Sequence, residues 1–312
     1  MARTSLIIDC DPGIDDAIAL LLAFASPEEL DLIAVTTVAG NVGGEKTARN
    51  ARLIRQIAGR EDVPVYMGAV APLVREPIAA GYFHGESGLG WLEVSEPHTP
   101  LAAGHAVTAI IEAIMSRPAG TVSMAVIGPM TNLALAMRLE PAIIDRLGEV
   151  VVMGGARAEG GNITASAEYN IFADPHAAKV VFASGCPIVT HGLDATHQVQ
   201  ITPERLAAMA AIDTPAARAA TNLFEFNRHS HVANGRVGDA PLHDPCTIAY
   251  LLAPELFVTV PVDLQVESDS PLTQGHTQVE FRVKDPDAAT VRWVIEADHE
   301  GVFALLEERL AP

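Results

Sequence analysis

Short strand-like apolar runs alternate with helix-patterned stretches through most of this 312-residue chain, and that alternation limits the folds open to it. Ser5–Asp9 reads as a buried strand, and a Pro12-Gly13 turn leads from it into an apolar helix over about Ile14–Ala25. Leu30–Val38 repeats the strand pattern, and Gly43–Ala58 sets Arg and Lys against Ala, Leu and Ile on opposite helical faces. Strands over Thr121–Ile127, Glu149–Met153 and Pro187–Thr190 alternate with helices over Met130–Met137 and Pro175–Ala183. Ala-rich stretches at Leu206–Ala211 and Ala216–Phe226 predict consecutive helices, Thr277–Val283 a late strand and Ala288–Leu310 a C-terminal helix. The pattern predicts an α/β fold, an open, mostly parallel, twisted sheet of Rossmann-like type flanked by helices. No Ser-, Gly- or Pro-rich linker and no internal repeat divides the chain, so a single domain over residues 1–312 is expected. Ligands of such sheets lie beyond the carboxyl ends of the strands, which directs attention to the residues just after Ile8, Val38, Ile127 and Met153.

Composition narrows the partners. With 39 acidic against 20 basic side chains the formal charge is −19, so a nucleic-acid polymer would meet repulsion, and a small or cationic partner is expected. Apolar runs are broken by Gly, Pro or Asp and none approaches the roughly 18–20 residues of a spanning helix, so no membrane partner is expected. The chain enters its first strand without a signal-like apolar region, and its three cysteines are odd in number and widely spaced; a cytoplasmic protein with reduced thiols is expected. Cys10 and Cys246 read as small buried apolar residues, and Trp91 and Trp293 as core or interface.

Asp9-Cys10-Asp11-Pro12-Gly13-Ile14-Asp15-Asp16 places four carboxylates within eight residues, at the end of an apolar strand. Acidic residues at a helix N-terminus explain Asp15 or Asp16 but not all four. A hard divalent cation would offset their repulsion, and neither Cys nor His spacing suggests zinc. Such a cation acidifies water, and Asp11, on the turn, is placed both to hold it and to take the proton. Asp-x-Asp after a first strand leaves two enzyme classes open. Haloacid-dehalogenase-like Mg²⁺ phosphatases use the first Asp as nucleophile, but their pattern has Thr or Val where this chain has Gly13 and needs a later Lys, of which only Lys46, Lys179 and Lys284 exist. Gly238-Asp239 with Asp244 superficially fits their last motif.

The stretch Asp9–Ala19 resembles, position for position, the DCDPGxDDAxA signature of the nucleoside hydrolases. Thr37–Asn41, His84–Gly90, Gly128–Asn132, Met153–Gly155, Gly161-Asn162, Ala167–Asn170, Asp174-Pro175 and His243–Pro245 follow in that family's order, so the resemblance spans roughly residues 5–250. It implies hydrolysis of the N-glycosidic bond of free ribonucleosides to base and ribose, in a protein that is usually a homodimer or homotetramer. Ca²⁺ would be held by Asp11, Asp16, Asp244 and the carbonyl of Ile127, and its bound water activated by Asp11. Asp15, Asn41, Asn162, Glu168 and Asn170 would grip the ribose, and His243 would protonate the leaving base. His84 lies on a Gly-rich loop that could cover substrate. The chain departs from better-known members over Phe224–His231, where some relatives place Tyr or Gln against the base; Asn227 and His231, four apart on a helix, are the residues expected there. A Ca²⁺-dependent nucleoside-binding module without catalysis is a further alternative. Apart from the resemblance, Asp174-Pro175 and Asp244-Pro245 read simply as helix N-caps with Pro at the first helical position.

Overall fold

The computed structural model describes residues 3–312. Its strands are β1 (Thr4–Cys10), β2 (Leu30–Thr37), β3 (Val65–Met67), β4 (Val122–Val126), β5 (Leu147–Met153), β6 (Ile188–His191), β7 (Gln200–Ile201), β8 (Ala240–Pro241), β9 (Phe257–Val266), β10 (Thr277–Glu280) and β11 (Val291–Ala297). Nine of them form one sheet in the order β10-β9-β11-β6-β5-β4-β1-β2-β3, while β7 and β8 make a small antiparallel ribbon. Every neighbouring pair from β11 through β3 is parallel, and β9 alone runs antiparallel to both β11 and β10.

The helices are α1 (Ile14–Phe24), α2 (Gly44–Ile57), α3 (Gly81–His84), α4 (Ala106–Met115), α5 (Thr131–Leu139), α6 (Tyr169–Ala173), α7 (Pro175–Phe182), α8 (Leu193–Thr196), α9 (Pro203–Ala210), α10 (Pro215–Ala233), α11 (Pro245–Leu252) and α12 (His299–Leu310). Leu6, Ile8 and Cys10 of β1 face a core built with α1, α10, α11 and α12, while Ile7 faces a second core built with α4, α5 and α7. An interior strand covered on both faces has no polar side to present, which is why β1 is an unbroken apolar run. For the same reason α1 is apolar nearly all round and buried along its whole length.

From β1 the chain builds outward through β2 and β3, then returns to place β4 on the other flank of β1. The crevice between the ends of β1 and β4 is therefore a topological switch point, where open α/β sheets bind ligands. Parallel pairing of Asp9 with Val126 brings Asp11 level with Ile127 and Gly128.

Part of the C-terminal reading needs correction. The expected helix over Ala288–Leu310 is a strand in its first part: β11 occupies Val291–Ala297, between β6 and β9, and α12 starts only at His299. Val291, Val294 and Ile295 are β-branched and favour an extended backbone, and Asp298 accepts from the N–H groups of Glu300 and Gly301 and so marks the true helix start. The late strand β10 ends at Glu280, short of Val283, and α10 runs seven residues beyond Phe226 to Ala233. Trp293 is buried in the core, whereas Trp91 is largely exposed; all three cysteines are free and buried. Among the described residues no helix is long and apolar enough to cross a membrane.

Candidate active site

Asp11 follows β1 at the switch point. Its Oδ2 accepts from the backbone N–H of Asn41 at 2.7 Å, while its Oδ1 is buried without any partner. Gly40 and Gly128 press directly on this carboxylate, and a Cβ on either would collide with it. Asp16, in the first turn of α1, accepts from Asp11 N at 2.9 Å through Oδ1, and through Oδ2 from Gly13 N and Asn41 Nδ2, both at 3.1 Å. Asp15 is held by distant parts of the chain: Asn227 Nδ2 donates to Oδ1 at 2.9 Å and His243 N to Oδ2 at 3.2 Å.

Asp174 and Asp244, alike in sequence, differ in the fold. Asp174 caps α7 by accepting from Ala177 N, and its other oxygen takes Leu73 N and the Thr131 hydroxyl. Asp244 makes no side-chain cap; its carboxyl lies against Asp16. Burial pushes the carboxyls of Asp11 and Asp244 well above the usual range and that of Asp15 to about 7, raises Asp16 as well, and their mutual repulsion adds to the shift at Asp11, Asp15 and Asp244. Among the described residues no three Asp, Glu, His or Cys side chains already close round one point as a metal cage. Their oxygens instead face backbone N–H groups, the side-chain amides of Asn41 and Asn227, and one another. The donor set is nonetheless all oxygen, dense in negative charge, and has one buried oxygen to spare, which suits a hard divalent cation.

A pocket opens over this cluster, lined by Asp15, Asn41, Ile127, Asn162, Glu168, Asn170, His84, His243 and Asp244 among others. Glu168 caps α6, its oxygens accepting from Asn170 N, Ile171 N and Gly155 N, and burial raises its carboxyl to about 7. Asn170 Nδ2 ties the ends of β4 and β5 together through the carbonyls of Ile127 (2.8 Å) and Met153 (3.2 Å). Asn162 Oδ1 accepts from Tyr169 N. His84, the last residue of α3, is tied to the start of α1 by accepting from Ile14 N at 3.1 Å, and burial lowers it to about 3. His243 Nδ1 lies 2.8 Å from the Thr196 hydroxyl, so Nε2 is the nitrogen left for a ligand; burial holds the ring neutral. His231 lines an adjoining outer cavity that shares Asn162 and Arg236 with the inner pocket, and Asn227 is buried behind Asp15.

Three contributors escape sequence reasoning. Arg236 donates to the Asn162 carbonyl at 3.1 Å and stands over the Phe83 ring, but its local Gly-Arg-Val-Gly setting carries no signal. Thr196 is one hydroxyl in a four-residue helix. Asn132, visible only as part of a motif, donates to Asp9 Oδ1 and to the Thr37 carbonyl. With the Thr36 hydroxyl also on it, Asp9 is tied into the sheet and α5, and like Asp11 and Asp16 it is fully buried and outside the pocket lining.

Comparison with known proteins agrees. The sequence profile of the inosine-uridine preferring nucleoside hydrolases matches residues 6–304. An inosine-uridine preferring nucleoside hydrolase of Crithidia fasciculata is 40% identical over 306 residues, 98% of this chain and 96% of that protein. The pyrimidine-specific ribonucleoside hydrolase RihA of Salmonella enteritidis is 43% identical over 307 residues, 98% of this chain and 97% of that one. A solved purine-preferring ribonucleoside hydrolase from Gardnerella vaginalis superposes with a TM-score of 0.91 at 30% identity, over 98% of each chain. A sheet with this switch point, the ordered motifs and full-length similarity converge: the chain belongs to the inosine-uridine preferring nucleoside hydrolase family, enzymes that hydrolyse N-glycosidic bonds.

Proposed function

We propose that this protein hydrolyses free ribonucleosides to base and ribose with the help of Ca²⁺ held by Asp11, Asp16, Asp244 and the Ile127 carbonyl. The buried, unpartnered Oδ1 of Asp11 carries the reading: Asp9 Oδ2 also lacks a partner, but Asp11 is the one that sits against further buried carboxyls, whose mutual repulsion a positive partner would offset. When bound, Ca²⁺ would neutralise the cluster and lower the pKa of water in the site.

Asp11 is the general base: it takes a proton from the water that attacks the anomeric carbon, as the new C–O bond forms and the C–N bond to the base breaks. Asp15, Asn41, Asn162, Glu168 and Asn170 converge on the sugar hydroxyls, and their oxygens favour the positive charge that builds on the ring in the transition state. His243 Nε2, oriented by Thr196 on its other nitrogen, is the proton donor to the leaving base in this reading, and its neutral ring must first take up a proton from water to serve as one. His84 and His231 border the base side.

Ribose release from uridine, cytidine, inosine, guanosine and adenosine tests this directly. The native protein should release ribose from members of the panel, and Asp11→Ala should lower kcat by on the order of 10³-fold or more while remaining folded. Equal rates in the two proteins would remove Asp11 from the chemistry.

A further inference from the structure

Asn227 was expected against the base, from its place four residues before His231 on a helix. The fold gives it another neighbour. It is 1% exposed, its Nδ2 donates to Asp15 Oδ1 at 2.9 Å, and its own Oδ1 is buried without a partner. We propose that Asn227 is a positioning residue for the sugar: it orients the Asp15 carboxylate toward the ribose hydroxyls and makes no contact with the base.

Geometry and chemistry support this together. The alternative amide orientation would turn a carbonyl oxygen toward a carboxylate, so the donor end must face Asp15. The acceptor end is left unsatisfied in the interior, so the bond to Asp15 is the one side-chain hydrogen bond that fixes this amide. The second oxygen of Asp15 accepts from His243 N, so both ends of the carboxylate are set by segments more than 200 residues away in sequence. Asn227, Ser230 and His231 share one face of α10; Ser230 donates to the Phe83 carbonyl at 2.6 Å and His231 reaches the outer cavity. One helix thus lines the outer cavity with His231 and, a turn earlier, aims a sugar-binding group in the inner pocket.

The inference rests on the proposed role of Asp15 in gripping ribose, and the test separates the two. kcat and KM are measured for uridine, inosine and the 2′-, 3′- and 5′-deoxyuridines with native protein, Asn227→Leu, Asp15→Ala and the double variant, with Tm as a check on folding. Asp15→Ala identifies its hydroxyl partner as the one whose removal no longer costs activity; if no hydroxyl penalty changes, the ribose role of Asp15 is wrong. Given such a hydroxyl, Asn227→Leu is expected to raise KM about 10–100-fold, as loss of a hydrogen bond to a charged group does. The rise should be equal for uridine and inosine, should shrink the penalty at that same hydroxyl, and should vanish in the Asp15→Ala background. A loss that differs several-fold between the two bases, an unchanged hydroxyl penalty, or additive effects in the double variant would overturn the proposal. Asn227→Ala supports the same comparisons if the Leu side chain prevents folding.

Discussion

At the scale of single residues, the site is a collection of buried titratable groups whose pKa values the fold displaces. His191, at the end of β6, shows the same physics away from the chemistry. It is fully buried, both ring nitrogens lack partners, and its ring meets Tyr250 and Phe257 edge-on at 5.5 and 5.0 Å. Burial lowers it to about 3, from 6.5 in an open chain. The unfolded chain therefore takes up a proton as pH falls through 6.5 while the folded protein refuses it until about 3, so stability is complete above 6.5 and is lost as pH falls. The slope is about 1.4 kcal/mol per pH unit across that window. His191→Phe should flatten this part of the stability curve, so that Tm relative to native rises steadily from pH 7 to pH 4; a constant difference would contradict it. Gly128 makes a second residue-scale prediction. A methyl there would strike Asp11 Oδ1, so Gly128→Ala should cut kcat severely in a protein that still folds, as activity and circular dichroism on one sample would show.

At the scale of elements, much of the chain is legible because one physical requirement governs each stretch. β1 and α1 must be apolar throughout to lie between covered layers, and their sequences say so. Val291–Ala297 is less plain: it runs directly into the helical stretch after Asp298, and its β-branched Val291, Val294 and Ile295, paired with β6 and β9, set it in the sheet instead. The Asp-Pro pairs are ambiguous too. Both announce a helix start, yet the Asp174 oxygens are consumed by Ala177, Leu73 and Thr131, while the Asp244 carboxyl turns to Asp16. Opposite outcomes follow. Asp174→Ala should cost about 2–4 kcal/mol of stability, through a lost cap and unsatisfied buried donors, and leave KM nearly unchanged. Asp244→Ala should abolish activity, and in chelator it should be at least as stable as native because a buried repulsive charge is gone. Chemical denaturation beside steady-state kinetics separates them; an inactive Asp174→Ala or an active Asp244→Ala would contradict the assignment.

For the whole molecule, sheet order does what no local motif reveals. The turn after β1 and the loop after β4 lie more than 100 residues apart in sequence, yet the switch in strand order sets them side by side, and β5 with α6 closes the third side through Asn170. The acidic cluster, Asn41 and the later Asn and Glu residues were therefore legible as a set only through the ordered family motifs. Arg236 and Thr196 were not, since their contacts, Arg236 with Asn162 and Phe83 and Thr196 with His243, are tertiary and leave no sequence pattern. The net charge of −19 frames the site as well: four buried carboxyls near the pocket in an already acidic chain leave a divalent cation as the natural counter-charge. Ribose release from a cleaved nucleoside, followed as Ca²⁺ is added back to chelator-treated protein with bound metal measured in parallel, tests this most directly. Activity should disappear on chelation and return in proportion to one Ca²⁺ per chain, with Asp11→Ala neither binding nor recovering. Full turnover by protein shown to hold no metal would contradict it.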